Sequence, residues 1–318
     1  MLVLNASEVS ALLDMDALIG ALAPAMVELS AGRVSMPPRT AALVAERKSL
    51  LGVMPAYLPA SRTLSCKLVS VFPGNTTLKL PTHQAAVMLF DADTGTPKAL
   101  LDGASITALR TAAGSALATR LLAREDASVL LIVGTGVQAM SHARAITRVR
   151  KIRELRIAGR EAKKAQQLAG SLGKELDITA HGLGIGAEAF HGVDIICATT
   201  DAAEPVVQGA WLVPGMHISS VGLNQRGREL DAETVQRARV FVESRAAALA
   251  PPPSGANELQ GVQVQAEIGE VLSGRRGRSS PQDITLYKSV GVAVQDAVAA
   301  QLVYDAALAR RVGTEIKL

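Results

Sequence analysis

The chain has 318 residues, 48% of them hydrophobic and 19% charged, with a formal net charge of +4. That composition excludes a disordered chain and supplies core enough for one large domain or two ordinary ones. Aromatic residues make up only 3%, so the interior should be rich in Ala, Leu and Val, and the densest basic run, Arg275-Arg276-Gly277-Arg278, lacks the rings of a nucleic-acid stacking platform.

Cys66 and Cys197 are the only cysteines and stand far apart. They predict neither a disulfide nor a metal site, and they suit a reducing, cytoplasmic setting. The opening Met1-Leu2-Val3-Leu4-Asn5-Ala6-Ser7-Glu8 lacks the basic start and long apolar stretch of a secretory signal. The weakly charged stretch 205–225 is interrupted by Pro214 and several glycines, so no membrane span is expected.

Taken in chain order, residues 7–31 carry Leu12, Leu13, Leu18, Leu22, Met26 and Leu29 at helical spacing, which predicts one helix capped by Ser7 and stopped at Gly32. Over 39–101 the texture changes to short apolar runs punctuated by Pro55, Pro73-Gly74-Asn75 and Asp93-Thr94-Gly95, as in an antiparallel sheet. Residues 106–122 return to an Ala- and Leu-rich helix. Val129-Leu130-Leu131-Ile132-Val133 is then a continuous apolar run, the mark of a strand covered on both faces. Further strands are expected at 154–158, 193–198, 217–221 and 239–242, with a helix over 161–172. Strands alternating with helices over about 120 residues predict a parallel, doubly wound sheet. Pro251-Pro252-Pro253-Ser254-Gly255 reads as a loop. A last helix, 290–308, shares the Ala-rich character of 106–122 and should pack back onto the first domain. The expected architecture is therefore α/β: a Rossmann domain over 119–289, and a second α+β domain made of 1–118 and 290–318.

Val133-Gly134-Thr135-Gly136-Val137-Gln138-Ala139 sits between a strand and a helix and matches Gly-x-Gly-x-x-Ala, a dinucleotide-binding fingerprint. Gly134 permits the tight turn, Gly136 a close approach of backbone to the pyrophosphate, and Ala139 close helix–strand packing. The N–H groups of the helix start, at Thr135, Gly136, Val137 and Gln138, then face the phosphates with the helix dipole behind them. NAD sites place a carboxylate at the end of the next strand to bind the ribose hydroxyls. Here that end reads Ile157-Ala158-Gly159-Arg160. Arg160 suits a 2′-phosphate through charge-assisted bonds, so NADP is favoured over NAD.

Several further segments resemble the ornithine cyclodeaminase/mu-crystallin family: Gly52-Val53-Met54-Pro55-Ala56-Tyr57, Lys67-Leu68-Val69, Leu80-Pro81-Thr82-His83-Gln84, Thr107-Ala108-Leu109-Arg110-Thr111-Ala112-Ala113, Val221-Gly222, Arg228-Glu229-Leu230-Asp231, Glu267-Ile268-Gly269-Glu270 and Lys288-Ser289-Val290-Gly291 through Gln295-Asp296. The resemblance implies a homodimer formed through the non-Rossmann domain and an active site in the interdomain cleft. It also implies that Arg39, Lys67 and Arg110 bind the substrate, and that Thr111 joins the cofactor-binding residues. The chemistry agrees: paired guanidinium groups clamp a carboxylate, and a lysine near two arginines has a lowered pKa, which fits Lys67 for catalytic proton transfer to an imine nitrogen.

Three departures bear on the reaction. Cyclodeaminases carry an Asp just after Val-Gly, where this chain has Asn224; Asn cannot act as a carboxylate base, though it can still bind substrate. They carry a Glu shortly before Met-Pro, where this chain has Gly52-Val53. They use NAD, whereas Gly159-Arg160 points to NADP. All three favour hydride transfer at the C=N of a cyclic ketimine or α-imino acid carboxylate, or the reverse amino-acid dehydrogenation. The alternatives are an ammonia-releasing ornithine cyclodeaminase and a non-catalytic NADPH-dependent binder of small ligands.

Overall fold

The computed structural model describes residues 1–224, 227–251 and 254–317, so Pro252 and Pro253 of the expected loop lie outside the described residues. The chain divides into two compact units. Unit 1 comprises Met1–Arg110 and Val292–Leu318, and unit 2 comprises Thr111–Gly291.

Unit 1 begins with β1 (Leu2–Leu4), α1 (Ala6–Leu12) and α2 (Met15–Ser30). The single helix expected over 7–31 is in fact two, and Ser7 is not its cap. Asn5 caps α1 in a reciprocal capping box with Glu8, and Asp14 caps α2 by accepting from the Ala17 amide. Each cap satisfies helix-start N–H groups that would otherwise be orphaned. The sheet follows as β2 (Thr40–Val44), β3 (Ser49–Leu58), β4 (Thr63–Val71), β5 (His83–Phe90) and β6 (Pro97–Asp102), and α3 (Gly103–Leu122) leaves it. Strands β2 to β6 pair antiparallel in sequence order, as the turn spacing predicts. β1 departs from this, lying parallel to β6.

Unit 2 is built from β7 (Val129–Val133), α4 (Val137–Ile146), β8 (Glu154–Gly159), α5 (Ala162–Leu176), β9 (Thr179–Gly184), α6 (Ala187–Phe190), β10 (Ile195–Ala198), β11 (His217–Ser220), α7 (Ala232–Arg237), β12 (Ala238–Val242), α8 (Arg245–Ala248), β13 (Ala266–Glu267), α9 (Ile268–Leu272) and β14 (Ile284–Lys288). All pairings are parallel, in the order β13-β12-β14-β11-β10-β7-β8-β9. Eight strands therefore stand where five were expected. β9, with two glycines and an exposed edge, shows little strand signal. β14 inserts between β11 and β12, and it ends in a lysine that sequence pattern would place in solvent.

The chain returns to unit 1 with α10 (Ala293–Arg310) and β15 (Thr314–Glu315). α10 packs on α2 and on the inner face of β3, β4 and β5, and its first eight residues are all buried. The unit boundary within α3 falls after Arg110 rather than after residue 118. The reason is packing: Ser115 on the later turns hydrogen-bonds to His142 of α4. Among the described residues, no single helix is long and apolar enough to cross a membrane.

Candidate active site

In unit 1, strand alternation decides which side of β4 Lys67 occupies. Thr63, Ser65 and Lys67 all point to the covered face, and Lys67 lies opposite the buried Met54 and Val87. Its side chain is only 2% exposed. An ammonium cannot stay in such a place without a partner, and the partner is Asp296 in the first turn of α10. Asp296 Oδ1 accepts from Lys67 Nζ at 3.1 Å and from Arg110 Nε at 2.9 Å. Arg110 Nη1 also donates to Gln295 Oε1 at 3.0 Å. Arg110 is 5% exposed and Asp296 1%. Two cationic side chains, from β4 and α3, thus share one carboxylate oxygen of α10.

Burial pushes the Lys67 amine down; Asp296 opposes this, and the charges of Arg110 and Arg39 add to the fall, leaving it at about 8. Burial works against the Asp296 anion, but Arg110 and Lys67 outweigh it and hold the carboxyl below its usual range. His83, at the start of β5, is held at about 4 by burial and by the same two cations, so its imidazole is neutral near pH 7. Arg39 sits half-buried in the extended segment before β2, close enough for its charge to act on Lys67. The structure therefore gathers Arg39, Lys67 and Arg110 together. Asp296 and His83 are members that sequence reasoning missed as site residues, although both lie in quoted motifs. A carboxylate at the start of an apolar helix was the available signal for Asp296.

In unit 2, the fingerprint occupies the loop from β7 to α4. Gly134 has φ +129°, and a side-chain carbon there would meet Thr199 Oγ1 at 2.6 Å. Gly136 is the N-cap of α4, and space beside it is open. Val137 is exposed at the helix start and Ala139 is buried. His142 Nδ1 bonds to the Gln138 carbonyl at 2.7 Å and Nε2 to Ser115 Oγ at 3.0 Å. Since a carbonyl only accepts, Nδ1 is the protonated nitrogen, and burial keeps the ring neutral, with a pKa of about 4. The side-chain Oε1 of Gln138 is buried and has no hydrogen-bond partner among the described residues. A glycine cradle, an open helix start and a waiting polar atom fit a dinucleotide, which the backbone of Gly134, Thr135, Gly136, Val137 and Gln138 would hold.

Arg160 follows β8 directly and is exposed, without a hydrogen bond or ion pair among the described residues. The neighbouring carboxylate of Glu161 is engaged by Lys164 at 2.8 Å. Thr111 is buried in α3, in unit 2 by one residue.

Asn224 lies in the loop after β11, where its side chain braces backbone. Nδ2 donates to the Asp201 carbonyl at 3.1 Å, and Oδ1 accepts from the Gly227 amide at 2.9 Å. The same loop is anchored by Glu229, another residue quoted without a role. Its carboxylate accepts from Thr200 N, Thr200 Oγ1, Ser220 Oγ and Gly222 N, at 2.6 to 2.8 Å. A side-chain carbon at Gly222 would strike Glu229 Cδ at 2.4 Å. Lys288, at the end of β14, donates to Ser220 Oγ and to the Gly222 carbonyl and pairs with Glu258 at 2.9 Å.

Comparison with known proteins identifies the family. A profile of the ornithine cyclodeaminase/mu-crystallin family matches residues 1–311. The ketimine reductase mu-crystallin of Mus musculus is 42% identical over 275 residues, 86% of each chain. The Thermococcus litoralis Delta(1)-pyrroline-2-carboxylate reductase, solved with NADH and L-proline, is 37% identical with a TM-score of 0.94, covering 99% of this chain and 100% of that one. An archaeal alanine dehydrogenase dimer with bound NAD is 32% identical with a TM-score of 0.90, covering 100% and 99%. The chain belongs to the ornithine cyclodeaminase/mu-crystallin family.

Proposed function

We propose that this chain is a nicotinamide-dependent reductase of cyclic ketimine carboxylates, a reaction that in reverse oxidises the corresponding cyclic amino acid. The observation that carries the reading is the buried Lys67–Arg110–Asp296 cluster. With one carboxylate against the two cations Lys67 and Arg110, it has surplus positive charge for a substrate carboxylate. It also has an ammonium whose pKa of about 8 suits proton delivery near neutral pH.

A reduced nicotinamide, bound by the β7–α4 loop, would supply hydride to the C=N carbon. Arg110 and Arg39 bind the carboxylate, and the exclusion of water from the cluster strengthens that attraction. Lys67 gives its proton to the imine nitrogen, so that the nitrogen leaves as an amine and Lys67 is left neutral. His83, neutral beside it, adds no competing charge. The names of the relatives support the substrate class: one is a ketimine reductase, and one holds proline, a cyclic amino acid.

NADPH is the preferred cofactor in this reading, because Arg160 stands where a ribose-binding carboxylate would discriminate against a 2′-phosphate. The Thermococcus relative was solved with NADH, so that preference would be a property of this chain's own β8 end. The protein works as a homodimer through unit 1, where Leu51 and Leu68 leave apolar surface exposed on the sheet face opposite α10, and the alanine dehydrogenase relative is a dimer. Its two free cysteines suit the cytoplasm.

The test is to follow NADPH and NADH oxidation with a panel of cyclic imino acids, and ammonia release from ornithine. Rapid NADPH oxidation with Delta(1)-pyrroline-2-carboxylate is expected. With Asn224 committed to bracing its loop and unable to serve as a base, ammonia release should be negligible. Brisk conversion of ornithine to proline would replace the reductase reading with the cyclodeaminase one.

A further inference from the structure

The cluster in unit 1 contains an atom that ion pairing alone does not explain. Asp296 Oδ1 takes both Lys67 Nζ and Arg110 Nε, while Oδ2, on a side chain 1% exposed, has no hydrogen-bond partner among the described residues. A carboxylate retained only to hold the fold would fill both oxygens, because a buried unpartnered acceptor is destabilising.

The placement of Asp296 is specific. It sits in the first turn of the 18-residue α10, where the helix dipole favours an anion. The preceding residue, Gln295, holds a second nitrogen of Arg110. One helix turn thus fixes the guanidinium through two acceptors and the ammonium through one. The charged or titratable groups acting on Lys67 are Asp296 from α10, Arg110 from α3, Arg39 from the segment before β2, and His83 from β5. Among these described residues Asp296 is the anion.

We propose that Asp296 is the positioning residue of the proton donor: through Oδ1 it locks Lys67 and Arg110 into one arrangement, and its charge keeps the buried Lys67 protonated. The inference rests on the reductase reading. Without that anion, burial and two guanidinium groups would all favour the neutral amine, which has no proton to give. The carboxylate stays ionised throughout; the proton passes from Lys67 to the substrate nitrogen and is replaced from solvent.

The test is Asp296→Asn, which keeps the shape and the acceptor oxygen and removes the charge. Two profiles are compared with wild type: the basic limb of kcat/KM for imine reduction, and the pH dependence of Lys67 acylation by acetic anhydride, read by mass spectrometry. Both midpoints should fall by about one pH unit or more, with NADPH affinity unchanged. An unchanged Lys67 acylation midpoint in the folded variant would overturn the proposal. Should the Asn variant fail to fold, Asp296→Glu decides, because it keeps the charge. A wild-type midpoint then supports the proposal, and a lowered one overturns it. Acylation needs no turnover. A wild type inactive on every imine, with the acylation midpoint still lowered in Asp296→Asn, would refute the reductase reading while supporting the Asp296–Lys67 coupling.

Discussion

Each unit buries a carboxylate among cations and hydroxyls, and the two carboxylates are treated differently. In unit 2, Glu229 meets four donors, two from backbone and two from hydroxyls. In unit 1, Asp296 loads two cations on one oxygen and leaves the other without a partner. A satisfied buried network rigidifies a loop. An unsatisfied one leaves charge and hydrogen-bonding capacity for a ligand. On the proposed function the contrast makes Glu229 a brace and the Asp296 cluster the seat of chemistry, though both are hidden from solvent.

The sharpest way to break this comparison is to remove the brace. Glu229→Ala strands four donors and should destabilise unit 2 by about 3–5 kcal/mol, seen as a lowered midpoint in chemical denaturation. A fully stable variant would show that the network is not structural.

Arg110→Ala should leave NADPH binding nearly intact, while lowering stability by taking one of two partners from the buried Asp296 carboxylate. It should cost about 2–5 kcal/mol in kcat/KM, roughly thirtyfold or more, through loss of the carboxylate anchor. Wild-type steady-state kinetics would reassign Arg110 from substrate binding to packing.

Arg160→Ala bears on unit 2 alone. NADPH affinity should weaken by about 1.5–3 kcal/mol while NADH affinity hardly changes, as measured by fluorescence titration. Equal binding of the two cofactors by the wild-type protein would remove the preference.

The mildest test is pH. The Lys67 pKa of about 8 lies below that of a free lysine, so the donor form is lost as pH rises through 8. Reduction should then slow by about tenfold per unit above that point, while oxidation of the cyclic amine, which needs the neutral amine, should speed up through the same range. Parallel profiles in the two directions would argue against Lys67 as the proton carrier.

Local sequence was enough to place the cofactor loop. A β-branched run, two glycines and a small residue at helix spacing specify a strand, a turn and a helix start, all within ten residues and all governed by short-range sterics. The same local logic identifies Arg160 after β8 and a basic residue on a strand at Lys67. It placed the cap of α1 at Ser7 where the structure has Asn5, because neighbouring polar residues compete for the same N–H groups. Nor could it find β14, since its place between β11 and β12 depends on partners far away in the chain. Only tertiary structure brought residue 67 to residues 110 and 296, turned the last into a buried anion shared by two cations, and buried the lysine beside a guanidinium, which lowered its proton affinity against the pull of that anion. Burial and Coulomb attraction depend on distance in space, and the linear pattern records distance only along the chain.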